Sequence, residues 1–292
     1  MSSPSQMQPA APAKVPDLAS LRAELDRLDD ALHNTLMRRA EVVKQVAALR
    51  VKGPVPLRPG REAAIIRRLL ARHDGGLPAF GIVRIWRELL GTTTAQQHPL
   101  VVSVCEAGGD AAYLALAREH FGALTPMRLH RSPAEAMDEV RAGRATVAVL
   151  PMPIEDEASS DAWWTALLRP GDPQMHVVAR LPFWAPRPEG TPIVQGLVVS
   201  AAAPDPSGQD RSLLGLELAG ADRVWLGAAL GAAGFRAGPV IIRQDADTAT
   251  VRVLAEVDGF VSDDDARLPA LREAGCSTTV LGACAVPVGG EA

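Results

Sequence analysis

Residues 17–52 read DLASLRAELDRLDDALHNTLMRRAEVVKQVAALRVK. Leu18, Leu21, Leu25, Leu28 and Leu32 recur at alternating spacings of three and four, and Val42, Val46 and Leu49 resume the seam after an interruption. That is a heptad-like apolar stripe along one side of a single long helix. Arg39 stands on the seam, seven residues after Leu32 and seven before Val46. A guanidinium on a buried stripe must be paired or hydrated, because an unpaired interior charge costs several kcal/mol. Arg50 follows eleven residues later, about three turns on, and points to nearly the same side. Two converging cations on an apolar face mark a pocket for an anion. The commoner role of an arginine near a seam is to snorkel or to pair on the surface.

Working outward, Asp17 after Pro16 reads as the N-cap, and Gly53 and Pro54 end the helix. The run PVPLRPG over 54–60 is a stiff connector. A second helix is expected over Arg61–Arg72, with Ile65, Ile66, Leu69 and Leu70 as its apolar face and Glu62 opening that face. A third runs from Phe80 into the mid-nineties. Ile82, Trp86, Leu89 and Leu90 form its stripe, and Thr93 and Gln97 continue it. Three such helices, one much longer than the others, do not close a core alone. Pairing of the long helices in a homodimeric bundle is the expected solution.

From Pro99 the period changes. Leu100–Val104, Met127–His130 and Thr146–Leu150 read as strands, and Ala111–Phe121 and Pro133–Ala142 as helices, giving a βαβαβ unit. Trp163–Leu168 reads as a short helix, His176–Leu181 as a strand and Pro182–Pro192 as a loop. After the Ala203–Asp210 turn come a strand at Arg211–Leu218, a helix at Asp222–Ala233 and a hairpin of Val240–Gln244 with Thr250–Val257. A helix at Asp263–Glu273 and a strand at Thr278–Val286 complete it. That βαββαβ order is the pattern of a ferredoxin-like sandwich. The expected organisation is a disordered tail over 1–16, an all-α helical domain over 17–98, an α/β domain over 99–205 and a ferredoxin-like unit over 206–292.

Composition narrows the function. The 292 residues are 47% hydrophobic and 22% charged, values of a soluble globular protein. A net charge of −4 provides no basic field for nucleic acid or an anionic membrane, and 4% aromatics provide no base-stacking surface. Cys105, Cys276 and Cys284 and the six histidines lack metal-site spacing. No metal and no cofactor are expected. No run is long enough to span a membrane, and the Pro/Ala/Ser-rich N-terminus lacks the apolar core of a signal peptide. A cytoplasmic protein is the expectation. The pair Gly108-Gly109 reads as a strand-to-helix turn, and Asp263-Asp-Asp265 as an acidic helix start.

The first 98 residues resemble the all-helical chorismate mutases. The pattern that carries the resemblance is Leu21-Arg22-x-x-Leu25-Asp26-x-Leu28-Asp29, then Leu36-x-Arg38-Arg39-x-x-Val42, then Arg61-Glu62, then Trp86-Arg87-Glu88-Leu89-Leu90 through Thr93 and Gln97. The resemblance implies that Arg39 holds one carboxylate of the substrate chorismate and that Arg22 reaches the other from the partner subunit. It implies that Arg50 contacts a carboxylate and the ether oxygen, that Glu62 binds the ring hydroxyl beside Arg61, and that Gln97 bonds the ether oxygen, with Thr93 where a serine often stands. Arg50 replaces a lysine, exchanging a compact charge for a planar fork. Arg58 falls near a position that is acidic in some members. The implied reaction converts chorismate to prephenate within one molecule, which requires orientation and preorganised charge and no nucleophile or proton transfer.

The remaining two thirds resemble prephenate dehydratase with a C-terminal ACT domain, in degenerate form. Val101–Ala111, Pro133–Pro153, the junction Ala203-Pro-Asp-Pro-Ser-Gly-Gln-Asp-Arg-Ser-Leu213 and the terminal Leu281-Gly-Ala-Cys-Ala-Val-Pro287 carry that resemblance. The catalytic Thr-Arg-Phe stretch of that family would fall at Gln195-Gly-Leu-Val-Val199, and its asparagine at Pro151-Met-Pro153. Those residues are absent, and the phenylalanine-binding Glu-Ser-Arg-Pro stretch is replaced by Ile242-Arg-Gln-Asp245. The expectation is therefore a mutase whose C-terminal region is non-catalytic and serves stability, assembly or regulation. The rivals are an isochorismate pyruvate lyase, a bifunctional mutase/dehydratase and a non-catalytic, metabolite-binding dimer.

Overall fold

The computed structural model describes residues 17–49, 57–106, 111–159, 161–220, 222–244 and 250–289. The expected tail over 1–16, the cation Arg50, the Gly108-Gly109 turn and Asp245 lie outside the described residues. The chain divides between Val51 and Lys52 into two units.

The first unit is α1, Leu18–Ala48. Asp17 caps it, its side chain accepting the Ser20 N–H at 2.7 Å while the Ser20 hydroxyl donates to the Asp17 carbonyl. This satisfies donors that the first turn of a helix leaves open. No residue of α1 is buried. The leucines of its seam stand in the open, Leu28 56% and Leu32 57% exposed.

The second unit begins with α2 (Pro59–Leu70) and α3 (Ala79–Ala95). It continues as β1 (Val102–Cys105), α4 (Ala112–Phe121), β2 (Met127–His130), α5 (Pro133–Arg141) and β3 (Val147–Pro151). A 3-10 turn at Trp163–Leu168 leads to β4 (His176–Leu181) and β5 (Gly196–Ser200). Then come β6 (Asp210–Ala219), α6 (Arg223–Ala232), β7 (Ala237–Gln244), β8 (Thr250–Asp258), α7 (Leu268–Glu273) and β9 (Ser277–Ala285). Among the described residues, nine strands form one mixed sheet in the order β2-β1-β3-β5-β4-β9-β6-β8-β7. The β2-β1-β3 edge is parallel, as the crossover helices α4 and α5 require. The strands β9-β6-β8-β7 are antiparallel throughout. Among the described residues no helix is long and apolar enough to cross a membrane.

The two ends of the sheet meet where β4 lies parallel to β9 at the Val177–Gly282 pair. Gly282 has φ +139°, and a Cβ there would sit 2.1 Å from the Val177 carbonyl oxygen. Only a residue without a side chain lets the backbones approach this closely.

Two elements differ from the sequence reading. Strand β5 is additional: Gly196–Ser200 is buried at every residue, and five consecutive core positions give no alternation to detect. Helix α7 begins at Leu268 and not at Asp263, with Pro269 in its first turn. A helix from Asp263 would place Pro269 in its interior, where proline lacks the N–H donor and clashes, whereas the first turn tolerates it; Asp265 accepts the Arg267 N–H at 3.0 Å and its guanidinium at 2.8 and 2.9 Å.

Helices α2 and α3 are held to the sheet unit by named contacts. Asp205 accepts the N–H groups of Gly60 at 2.9 Å and Arg61 at 3.0 Å, and pairs with Arg58 Nε at 3.0 Å. A residue 145 positions away from Gly60 thus caps α2. Arg67 donates to the Ser207 hydroxyl at 2.9 Å and to the Gln209 and Val286 carbonyls. Ala63, Ile66, Val83 and Leu90 close a small core with Phe183 and Ala285.

Gly282→Ala is expected to lower the unfolding free energy by at least about 1–3 kcal/mol, the usual cost of overpacking. Gly76→Ala, where an added Cβ meets nothing within 4 Å, should be close to neutral. Urea denaturation of both variants beside the wild type checks this.

Candidate functional site

The expected site residues are distributed over both units. Arg22 and Arg39 are on α1, Arg22 exposed and Arg39 half-buried. Arg61 and Glu62 are in the first turn of α2, Thr93 is in the last turn of α3, and Gln97 stands in the turn just beyond its C-cap, Gln96. Arg61 is exposed, Glu62 and Gln97 are half-buried and Thr93 is buried.

Within the second unit these residues fall into two groups. Thr93 donates its hydroxyl to the Leu89 carbonyl at 2.8 Å, with Leu90 O at 3.2 Å, and Gln97 Nε2 donates to the Thr93 carbonyl at 2.9 Å. The Gln97 side chain thus folds back from the turn beyond α3 onto the last turn of that helix. Glu62 instead receives Arg87 Nη1 at 3.1 Å.

Arg87 is the residue that the sequence reading quoted but gave no role. It is 3% exposed. Its guanidinium lies over the Phe183 ring, 4.7 Å from the centroid, and Nη1 is 3.4 Å from His120 Nε2. Burial draws the Arg87 pKa down to about 10, opposed by the carboxylates of Glu62 and Glu119. The group therefore remains a cation at neutral pH. Burial, reinforced by the Arg87 charge, holds His120 well below the ordinary histidine value of 6.5, so His120 is neutral. The arrangement fixes the Glu62 carboxylate from behind with a charge-assisted bond. A signal for Arg87 was present: it falls four residues after Val83 and three before Leu90, on the buried stripe of α3. That is the same break in an apolar seam that singles out Arg39.

Arg58, a departure from the mutase pattern, has its own partner in Asp205. The basic residue at the start of α2 and the acidic residue that caps it form one contact, which sequence spacing does not reveal. Among the described residues, no three His, Cys, Asp or Glu gather as metal ligands would. Chemically, the second unit offers a fixed carboxylate on α2, a hydroxyl at the end of α3 and an amide in the turn that follows it. The first offers Arg22 and Arg39 on one helix.

Residues 21–98 match the family model of chorismate mutase type II. The chain is 28% identical over 141 residues to the bifunctional chorismate mutase/prephenate dehydratase of Pseudomonas aeruginosa, covering 46% of this chain and 38% of that protein. It is 31% identical over 101 residues to the protein of the same name from Neisseria gonorrhoeae, covering 35% of this chain and 27% of that one. The chain thus spans less than two fifths of the length of these relatives. Among solved structures, the prephenate dehydratase of Streptococcus mutans superposes with a TM-score of 0.49 at 13% identity, over 64% of this chain and 98% of that one.

Two predictions follow the geometry of Arg87. Glu62→Leu leaves a buried guanidinium without its carboxylate and should cost about 3–5 kcal/mol, whereas Glu62→Leu combined with Arg87→Met should recover most of that loss. Urea denaturation of the three proteins reads the difference. His120 binds a proton more readily unfolded than folded, so its contribution to stability is complete above pH 6.5 and is lost progressively as pH falls below that value. His120→Gln should flatten that part of the stability curve between pH 7 and about pH 5, measured by denaturation at stepped pH.

Proposed function

We propose that this chain is a chorismate mutase that rearranges chorismate to prephenate as a homodimer built on its helical part. The observation that carries the reading is the match of residues 21–98 to chorismate mutase type II. That span includes Arg22, Arg39, Glu62, Thr93 and Gln97. The proposed division is a mutase domain over 17–98, a dehydratase-like α/β domain over 99–205 and an ACT-like unit over 206–292.

In the proposed site Arg39 holds one carboxylate of the substrate and Arg22 the other, from the partner subunit. Arg50 and Gln97 face the ether oxygen as it gains negative charge, Glu62 takes the ring hydroxyl beside Arg61, and Thr93 joins them as a substrate-binding residue. The reaction breaks one C–O bond and forms one C–C bond within a single molecule. Catalysis is then the selection of a compact dianion and the stabilisation of charge on the departing oxygen. Such chemistry calls for no cofactor. The Arg87–Glu62 pair suits it, because a carboxylate already fixed requires no reorganisation on binding. The exposed seam of α1 supports the dimer: Leu18, Leu21, Leu25, Leu28, Leu32 and Leu49 are all at least 48% exposed. An exposed apolar stripe of that length is an interaction surface.

The C-terminal two thirds are proposed to be non-catalytic. Strand β5, where the dehydratase residues would fall, is buried at every position and carries none of them. The unit β6-α6-β7-β8-α7-β9, with spatial order β9-β6-β8-β7, supports an ACT-like, ferredoxin-like reading of the last segment. A second reading, a bifunctional mutase/prephenate dehydratase, is favoured by the names of the relatives.

Incubation of the purified protein with chorismate, followed by NMR, tests these readings. Prephenate should accumulate, and Arg39→Ala should lower turnover by at least about 100-fold, as loss of a preorganised charge donor does. Conversion onward to phenylpyruvate would establish the bifunctional reading. Salicylate and pyruvate from isochorismate in a parallel tube would establish a lyase instead. Absence of every product from an intact dimer would end the enzymatic reading.

A further inference from the structure

Holding the Glu62 carboxylate in place requires a hydrogen-bond donor and not a charge. Arg87 supplies both, and its charge is directed to Glu62 by the way the neighbouring ions are matched. Two carboxylates act on Arg87, those of Glu62 and Glu119. Glu119 is already engaged: Arg187 donates two parallel bonds of 2.6 Å to its oxygens, a bidentate pair that matches both charges. Glu62 Oε2 receives Arg87 Nη1 at 3.1 Å. Two other cations around the start of α2 are committed elsewhere, Arg58 to Asp205 and Arg67 to the Gln209 and Val286 carbonyls. His120, neutral beside Arg87, adds no charge, and the Phe183 ring lies against the guanidinium. The Arg87 side chain is 4% exposed and that of Glu62 15%, so a ligand reaches the carboxylate and not the cation behind it.

This matching bears on a substrate that carries two carboxylates. A carboxylate accepts a ring hydroxyl well, yet it repels the dianion to which the hydroxyl belongs. At an effective dielectric constant of about 20 and a separation of about 10 Å, that repulsion weakens binding by on the order of tenfold. A guanidinium paired behind the carboxylate makes the two groups formally neutral. The hydrogen bond to the hydroxyl is kept and the repulsion is removed.

We propose that Arg87 is a positioning residue of the mutase site whose charge cancels that of Glu62, so that a carboxylate can hold the ring hydroxyl of a dianion. Arg87 touches no substrate atom and acts through Glu62. The inference rests on the reading of chorismate as the substrate.

Steady-state kinetics of the full-length protein with chorismate tests it, using three variants beside the wild type. Arg87→Gln keeps a side-chain donor for Glu62 and removes the charge. Its KM should rise at least about tenfold while kcat stays within about threefold, the pattern of lost ground-state and transition-state binding in equal measure. Arg87→Lys keeps the charge and should hold KM within about threefold of the wild type. Glu62→Gln combined with Arg87→Gln leaves an acceptor oxygen and no charge at either position. Its KM should also return to within about threefold, a coupling that two independent sites do not show. A purely structural role would make all three variants worse in proportion to their loss of melting temperature, whatever their charge. An unchanged KM in Arg87→Gln, or a KM raised tenfold in Arg87→Lys or in the double variant, would overturn the proposal and leave the mutase reading standing. The last two outcomes decide the matter even where Arg87→Gln does not fold. Absence of chorismate turnover by the wild type would remove the mutase reading and this proposal together.

Discussion

The ion pair between Arg87 and Glu62 is the contact on which the placement of α2 and α3 depends. A guanidinium that is 3% exposed has given up nearly all of its hydration, a loss of several kcal/mol that must be offset locally. Glu62 offsets it from α2, Phe183 offers the face of its ring, and Glu119 adds a more distant negative charge. His120, kept neutral by the same burial, fits beside the cation without repelling it. These groups come from four elements, so the pair ties α2, α3, α4 and the connector after β4 into one arrangement.

Other contacts act in the same direction. Asp205 caps α2 from the turn before β6, and Arg67 gathers carbonyl groups from that turn and from the end of β9. Close backbone approach makes this possible. A Cβ on Gly60 would sit 2.1 Å from the Asp205 carbonyl oxygen, and one on Gly91 would sit 2.2 Å from that of Phe121. The two short helices of the mutase-like segment are therefore positioned by the sheet unit. A C-terminal region without chemistry of its own would still have a role in the proposed enzyme: it fixes the carboxylate and the amide that the long helix cannot supply. The long helix keeps its apolar seam exposed.

Much of this was legible in the residues. The leucine seam, the interruption at Arg39 and the Asp17 cap define α1, because helical periodicity and capping are local properties of the chain. The strands at Met127–His130 and His176–Leu181 were equally local. Strand β5 was not, because a fully buried strand has no period that separates it from other apolar runs. The late start of α7 was hidden because Asp265 and Arg267 prefer each other to the helix.

The sequence by itself therefore determined the long amphipathic helix, the two shorter helices after it and the alternation of strand and helix beyond Pro99. Each of these rests on spacing within a few turns or a few strand residues. Tertiary structure alone decided that one nine-stranded sheet runs through the C-terminal two thirds, joined where Gly282 meets Val177. It alone decided that Arg87 and not solvent faces Glu62, and that Asp205 neutralises Arg58. These partners lie 25 and 147 residues apart in the chain. Only folding of the whole unit sets their separation, and the need to compensate a buried charge selects the partner.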